Sequence, residues 1–502
     1  MPPIDIPFEK YQSLKDKAKE IADIIKNLNR NIVVIARGTP DDLCATGILL
    51  KCLRNLDVGA HSLFMNEVTD LEKKIKNFDY SAYFFIGYNI EDIPDLVFKE
   101  EKNIIVVVNQ ELIFSKEMER RKEDVTYLNL EDSEIPLGSV SNAGLVYFVS
   151  ANIDDDYPKY AELAIIGGLS KKQVNPKNQE LIGLNKIILE EGREKQYLDI
   201  SKGTRIAGRE SQPLHLALKY SINPYFPGLT GNESACTSFV SRLGIPMRDQ
   251  EDNWRTIASL SSKETKKLND GLISLLMENN NHPLSDIHKL IGPIYTLTQE
   301  IKKNQTRNAE EFLWLLEGAC NLKSYGLALG VVLGDRTKLY DKLIRKLSDY
   351  HGKATKAIEI IAKEPEKIEE RKNYRFLDGT NVFENTTAKQ IIDALVESGI
   401  IQIDKPIIVH LKVGEKIHLH VRESPINIQK GHLIYHAFEK LKEENVLLDH
   451  RGELETFEVV LNEDKLSPVF ESIVKSLEYY EKGEAKDTEE EDEKSKEKEK
   501  AK

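Results

Sequence analysis

Cysteine is scarce in this chain, and what there is lies scattered. Cys44, Cys52, Cys236 and Cys320 include no CxxC pair, which argues against a zinc knuckle and against a disulfide framework. No apolar run is long enough to span a bilayer, and the opening MPPIDIPFEKYQSLKDK carries no signal-peptide apolar core. A reducing cytoplasmic setting, with no membrane, is the resulting expectation. Aromatics are few, at 7%, and a surplus of positive charge is missing, the formal net charge being −13. That argues against a nucleic-acid binder with a broad basic surface, but it leaves room for a local basic groove. What the chain does have is length. At 502 residues it is long for one hydrophobic core, so two or three domains are expected.

The stretch Asn31 to Leu50, NIVVIARGTPDDLCATGILL, organises the rest. Ile32-Val33-Val34-Ile35 reads as a buried parallel strand. Thr39 is a good N-cap, Pro40 suits the first helical position, and Asp41 and Asp42 fall where the helix dipole favours negative charge. A loop leaving the carboxyl end of such a strand and entering a helix is where an open α/β sheet places its ligand. An amphipathic helix over Phe8–Leu28 precedes it. Further strands are expected at Val58–Met65, Ala82–Tyr88, Asn103–Asn109 and Val125–Leu130, with helices at Asp41–Asn55, Asn142–Ser150 and Tyr157–Leu169. The alternation predicts an α/β, doubly wound, mostly parallel sheet.

From about Gln173 strand signals fade, and helical segments are expected at Pro213–Tyr220, Ala235–Leu243, Ser262–Met277, Ala309–Cys320 and Thr337–Ala362. From about Tyr374 short β patterns return: Ile407–Lys412 and Glu415–Val421 read as paired strands, and Gly431–Lys442 as a helix. After Tyr480 almost no apolar residue remains, and a disordered mixed-charge tail is expected. The implied organisation is a first domain over 1–180, a helical linker or insertion over 181–370, a smaller α/β domain over 371–480, and the tail over 481–502.

These segments carry a family resemblance, spread in order over roughly Asn31 to Tyr435. The N-terminal region resembles the DHH phosphoesterases, and within them the archaeal RecJ-like branch that associates with the GINS replication complex. That branch includes the non-catalytic DHH subunit of the eukaryotic CMG helicase. The family's His-x-Asp-x-Asp-Gly motif falls on Arg37, Thr39, Asp41 and Asp42, followed by Leu43-Cys44-Ala45. Its second aspartate falls near Gly87. The name-giving Asp-His-His falls on Asn109-Gln110-Glu111, and the Gly-x-x-x-Asp motif on Gly167 to Lys171. Beyond the core, Ile206 to Leu214, Tyr220 to Gly231 and Leu333-Gly334-Asp335-Arg336 resemble the archaeal branch. Of the Gly-Gly-Gly-His loop of the DHH-associated domain only Gly431-His432 remains.

Phosphodiester hydrolysis in such a fold is two-metal chemistry, and it needs anionic oxygen and imidazole ligands. The matched positions offer two cations, Arg37 and Lys171, the neutral Thr39, Asn109 and Gln110, and no side-chain ligand at Gly87. Asp41, with Asp42 or Glu111, is all that is anionic. Cations in a pocket built for dications add repulsion, so no productive metal pair and no cofactor are expected. Asp41 and Asp42 then read as first-turn residues complementing the helix dipole, or Asp41 as the partner of an internal ion pair from Lys171 or Arg37. What the resemblance implies is a non-enzymatic replisome scaffold, cytoplasmic and nucleoid-associated in an archaeon. It would bind GINS and, through GINS, the MCM helicase. Single-stranded DNA would run along Arg37, Lys171, Lys172, Arg209, Arg422, Lys430 and His432. The alternative is a manganese- or magnesium-dependent single-strand exonuclease or phosphodiesterase using Asp41, Asp42 and Glu111. A third reading is a structural subunit that never touches DNA.

Overall fold

The computed structural model describes residues 6–28, 31–65, 71–75, 80–98, 102–110, 123–278, 289–397, 399–431, 434–444, 446–453 and 455–477. Glu111, His432 and the expected tail lie outside them. The chain forms two compact units, one of 1–221, 233–278 and 284–349, the other of 222–232, 279–283 and 350–502. Among the described residues no helix is long and apolar enough to cross a membrane.

The first unit opens with helix α1 (Phe8–Lys26) and a five-stranded sheet: β1 (Ile32–Ala36), β2 (Ala60–Phe64), β3 (Ala82–Ile86), β4 (Asn103–Val107) and β5 (Val125–Leu128). All pairings are parallel, in the order β2-β1-β3-β4-β5. Every residue of β1 and β3 is buried, as near-continuous apolar strands covered on both faces must be. One face, with Val33, Ile35, Tyr83, Phe85 and Val106, packs under Tyr88, Ile90 and Val97 in the segments that connect the strands. The helices are α2 (Pro40–Asn55), the short α3 (Leu71–Ile75) and α4 (Asp95–Phe98), α5 (Asn142–Ser150), α6 (Ala161–Ser170) and α7 (Asn185–Glu194). α2, α5 and α6 pack on one another, and α2 and α5 also reach the sheet. Small residues allow this closeness: a Cβ at Gly47 of α2 would fall 2.2 Å from Val332. The expected Tyr157–Leu169 helix divides into a 3-10 turn, Tyr157–Tyr160, and then α6.

Helices α8 (Leu214–Tyr220), α9 (Glu233–Arg242), α10 (Ser262–Met277), α11 (Ala309–Asn321) and α12 (Tyr325–Val332) complete the unit, with the first half of α13 (Lys338–Lys363). Their starts are chemically marked. Ser261 and Glu264 form a capping box on α10, and Asn308 accepts the Glu310 and Glu311 N–H groups at the head of α11. One expectation fails here. The region read as helical holds an antiparallel pair, β6 (Leu198–Thr204) with β7 (Ile291–Leu297). β6 is largely polar, with only Leu198 and Thr204 buried, and its partner lies some ninety residues on, so neither periodicity nor a local turn announces it.

The second unit is a six-stranded sheet in the order β12-β13-β11-β10-β9-β8. Its strands are β8 (Ile368–Glu370), β9 (Arg375–Asp378), β10 (Ile407–Val413), β11 (Lys416–Arg422), β12 (Asp449–Glu453) and β13 (Thr456–Asn462). The expected pairing of the segments around Ile407 and Val421 is present in antiparallel register. β9 and β10 run parallel. Ala354, Ala357, Ile358 and Ile361 of α13 and Ile391, Ile392 and Leu395 of α14 (Ala388–Glu397) cover Val409 and Leu411. On the other face Ile434 and Phe438, with Val469 and Ile473, cover Ile417, Leu419 and Val421. The helix expected over Gly431–Lys442 is α16, Ile434–Glu443; before it a short unforeseen helix, α15 (Pro425–Lys430), ends at Gly431 in the left-handed region, φ 71°.

Candidate functional site

The carboxyl ends of β1, β3 and β4 face the starts of α2 and α5, where the fold sets its crevice. Asp41 and Asp42 stand there, both buried. Both Asp41 oxygens are occupied: Oδ2 accepts the Asn142 backbone N–H and Oδ1 that of Ala143, each at 2.9 Å. The carboxylate of one helix thus caps the N-terminus of another, satisfying donors that a helix start leaves open and meeting its positive dipole end. Asp42 accepts from Asn142 Nδ2 at 2.8 Å and from the Thr39 hydroxyl at 2.7 Å, while its own N–H donates to that hydroxyl. Burial, then the charge of Asp41, push the Asp42 carboxyl up to about 7, with Lys171, Asn142 and Thr39 opposing. Simple complementing of the α2 dipole therefore understates both residues.

The room around the pair exists because two neighbouring positions lack side chains. Gly87 has φ 77°, and a Cβ there would lie 2.8 Å from Asp42 Oδ1. A Cβ at Gly167 would lie 2.6 Å from Asp41 Oδ1 and from Ser141 Oγ. Glycine at 87 is what lets the Asp42 carboxylate sit where it does.

The expected ion pair from Arg37 or Lys171 to Asp41 does not form among the described residues. Arg37 turns instead to Asp92, 2.9 Å away, and lies over the Tyr88 ring. Asp92 is already fixed by the Asn89 N–H, which makes it the better-placed acceptor. Lys171 is the half-buried C-cap of α6 and acts on Asp42 through space only. Asn109 is buried with its amide toward the Val140 carbonyl, 3.4 Å away. Gln110 is exposed and holds the Asn129 amide through its backbone oxygen.

A pair of divalent ions fits this donor set poorly. It would need several free anionic oxygens. Asp41 is spent on backbone amides, Asp42 is bonded and pushed toward its neutral form, and Gly87 offers nothing. Asn142 Oδ1, buried without a hydrogen-bond partner, is neutral. Among the described residues no group of three or more histidine, cysteine, aspartate or glutamate side chains is placed to hold a metal.

Arg209 is half-buried beside Glu210, Glu310 and Glu311. Lys172 is exposed. In the second unit, Arg422 bonds Asp393 and Thr456, and Lys430 is exposed at the end of α15. His418 and His420 of β11 belong to a hydrogen-bonded set with Glu458 and Asn385. Sequence reasoning missed the roles of Asn142, Asn129 and Tyr325. Asn142 was legible only as part of a small-residue helix start. Asn129 bonds the Val108 and Gln110 carbonyls and so shapes the loop after β4. Tyr325 lies so close to Gly38 that a Cβ there would fall 2.3 Å from its hydroxyl.

Residues 206–291 match the DHH-CID domain model. The fold is that of CDC45 from Entamoeba histolytica, with a TM-score of 0.62 at 12% identity, covering 93% of this chain and 97% of that one. The exonuclease RecJ bound to manganese matches with a TM-score of 0.53 at 12% identity, over 93% and 94% of the two chains. An uncharacterized protein of Methanocaldococcus jannaschii is 27% identical over 253 residues, 49% of this chain and 56% of that relative's length. The chain thus carries a segment that matches the DHH-CID domain, and it shares its fold with CDC45 and RecJ.

Proposed function

We propose that this chain is a non-catalytic replisome component, a body that binds the GINS complex and through it supports the MCM helicase, with single-stranded DNA guided over its basic side chains. The observation that carries the non-catalytic part is the Asp41 carboxylate. Both of its oxygens are bonded to the head of α5, so the aspartate that survives from the family motif serves the fold. The partner assignment rests on the family resemblance, in which proteins of this branch associate with GINS.

The competing reading, a manganese-dependent exonuclease, is favoured by the fold shared with RecJ and by two adjacent buried carboxylates. A labelled single strand incubated with the purified chain and manganese separates the two. The scaffold reading expects an unshortened strand and co-purifying GINS subunits. Release of nucleotides that disappears in Asp42→Ala would establish the enzyme instead. Strand binding that weakens steeply as salt rises would mark direct phosphate contact. A flat response at low salt would leave a purely structural subunit.

A further inference from the structure

Away from the crevice, the first unit presents aliphatic side chains to solvent where side-chain hydrogen bonds tie its segments together. Ile301 is 63% exposed, Leu333 36% and Leu339 37%. Their backbone is pinned from several sides. Glu300 bonds Arg336 through both carboxylate oxygens, tying the Ile301 loop to the turn after α12. The Arg336 guanidinium also lies over the Phe312 ring. Asp335 accepts the N–H groups of Thr337, Leu339 and Tyr340 at the head of α13. Leu339 rests so closely on α12 that a Cβ at Gly330 would fall 2.3 Å from it. The exposed leucines and isoleucine are therefore held by a bonded frame, and little ordering remains to be done when something covers them.

The rim of this surface has the opposite charge to the whole molecule. Lys302, Lys338 and Lys342 are exposed and outnumber the one exposed carboxylate among them, Asp341. The chain as a whole carries −13. An acidic partner is repelled by most of this molecule and drawn to such a rim, with the attraction screened over about 10 Å at 0.1 M salt. Aliphatic centre and cationic border are the anatomy of a protein-binding patch. Nucleic acid is the poorer match, because single strands gain their affinity by stacking on aromatic rings, and the anchors here are aliphatic.

We propose that this surface docks an acidic amphipathic segment of a partner protein, its apolar side chains on Ile301, Leu333 and Leu339 and its carboxylates on Lys302, Lys338 and Lys342. The proposal goes beyond the replisome reading and stands without it, since it uses no residue of the crevice.

The test uses the full chain and a fluorescent peptide with leucines at helical spacing and glutamates between them. The controls are a scrambled peptide of the same composition, polyglutamate, and an oligothymidylate of about 15 nucleotides. The expected result is saturable binding of the patterned peptide, about tenfold weaker in Ile301→Ser and in Leu339→Ser. Its salt dependence shrinks in the Lys338→Glu, Lys342→Glu double variant. All substituted side chains are exposed, and unchanged melting of each variant confirms its fold. Equal binding of the scrambled peptide or polyglutamate, failure of the patterned peptide to bind, or its displacement by oligothymidylate from the wild type alone would overturn the proposal.

Discussion

At residue 87, near the place where the resemblance puts the family's second aspartate, a hydrogen stands in for a side chain, and the neighbouring geometry says what replacing it does. Gly87→Asp places a side chain at φ 77° and within 3 Å of the Asp42 carboxylate. Backbone strain of about 1–3 kcal/mol adds to the burial of an unpaired negative charge beside Asp42. Thermal unfolding should report a loss of roughly 3 kcal/mol or more, with Gly87→Ala losing less. Asp41→Ala strands the Asn142 and Ala143 N–H groups inside the protein, a loss of about 2–4 kcal/mol. Asp41→Asn keeps one acceptor and should fall between. A wild-type midpoint in either Asp41 variant would contradict the capping role. The position of Asp41 was readable from Thr39-Pro40 and the strand before it. Its partner was not, because the bond to Asn142 spans a hundred residues and depends on how two helices meet on the sheet.

Among the elements, α13 carries a buried titratable group with a predictable effect. Burial pushes the His351 imidazole down to about 3 from an ordinary 6.5. Below about pH 6.5 the unfolded chain takes up a proton that the folded chain refuses, so stability present at neutral pH is lost as pH falls toward 3. His420 on β11, pushed down to about 4 by burial, acts in the same direction. His351→Leu should flatten the stability curve between pH 6.5 and 4, read from denaturant midpoints, even if its neutral-pH stability drops with the loss of the contact to Gln390. An unchanged slope would show that His351 titrates freely. Element by element, legibility followed locality. α5 and α10 match their expected limits to the residue, since serine caps mark where they begin. The β6–β7 pair was invisible because its bonds are non-local.

For the molecule as a whole, the decisive measurement is a melting curve with and without manganese. A site of micromolar affinity in millimolar metal would add about 4 kcal/mol. With Asp41 and Asp42 bonded as they are, the midpoint should not move, and a chelator should not lower it. A clear upward shift would mean a seated ion. The doubly wound first unit was foreseeable from alternating strand and helix signals. The second unit gathers 222–232 with the distant residues from 350 onward, a grouping that no local sequence signal announces, even though the Pro/Gly-rich stretch at 223–231 marks a break. The cap that Asp41 provides also has a bearing on descent. To seat a cation beside β1, a descendant would first have to withdraw that carboxylate from α5, and then find room for a second acid beside Asp42, where even a Cβ at residue 87 would lie 2.8 Å from Oδ1. If the proposed non-catalytic reading holds, each opening move back toward hydrolysis weakens the body that would have to carry it, so the change turns like a ratchet, in one direction.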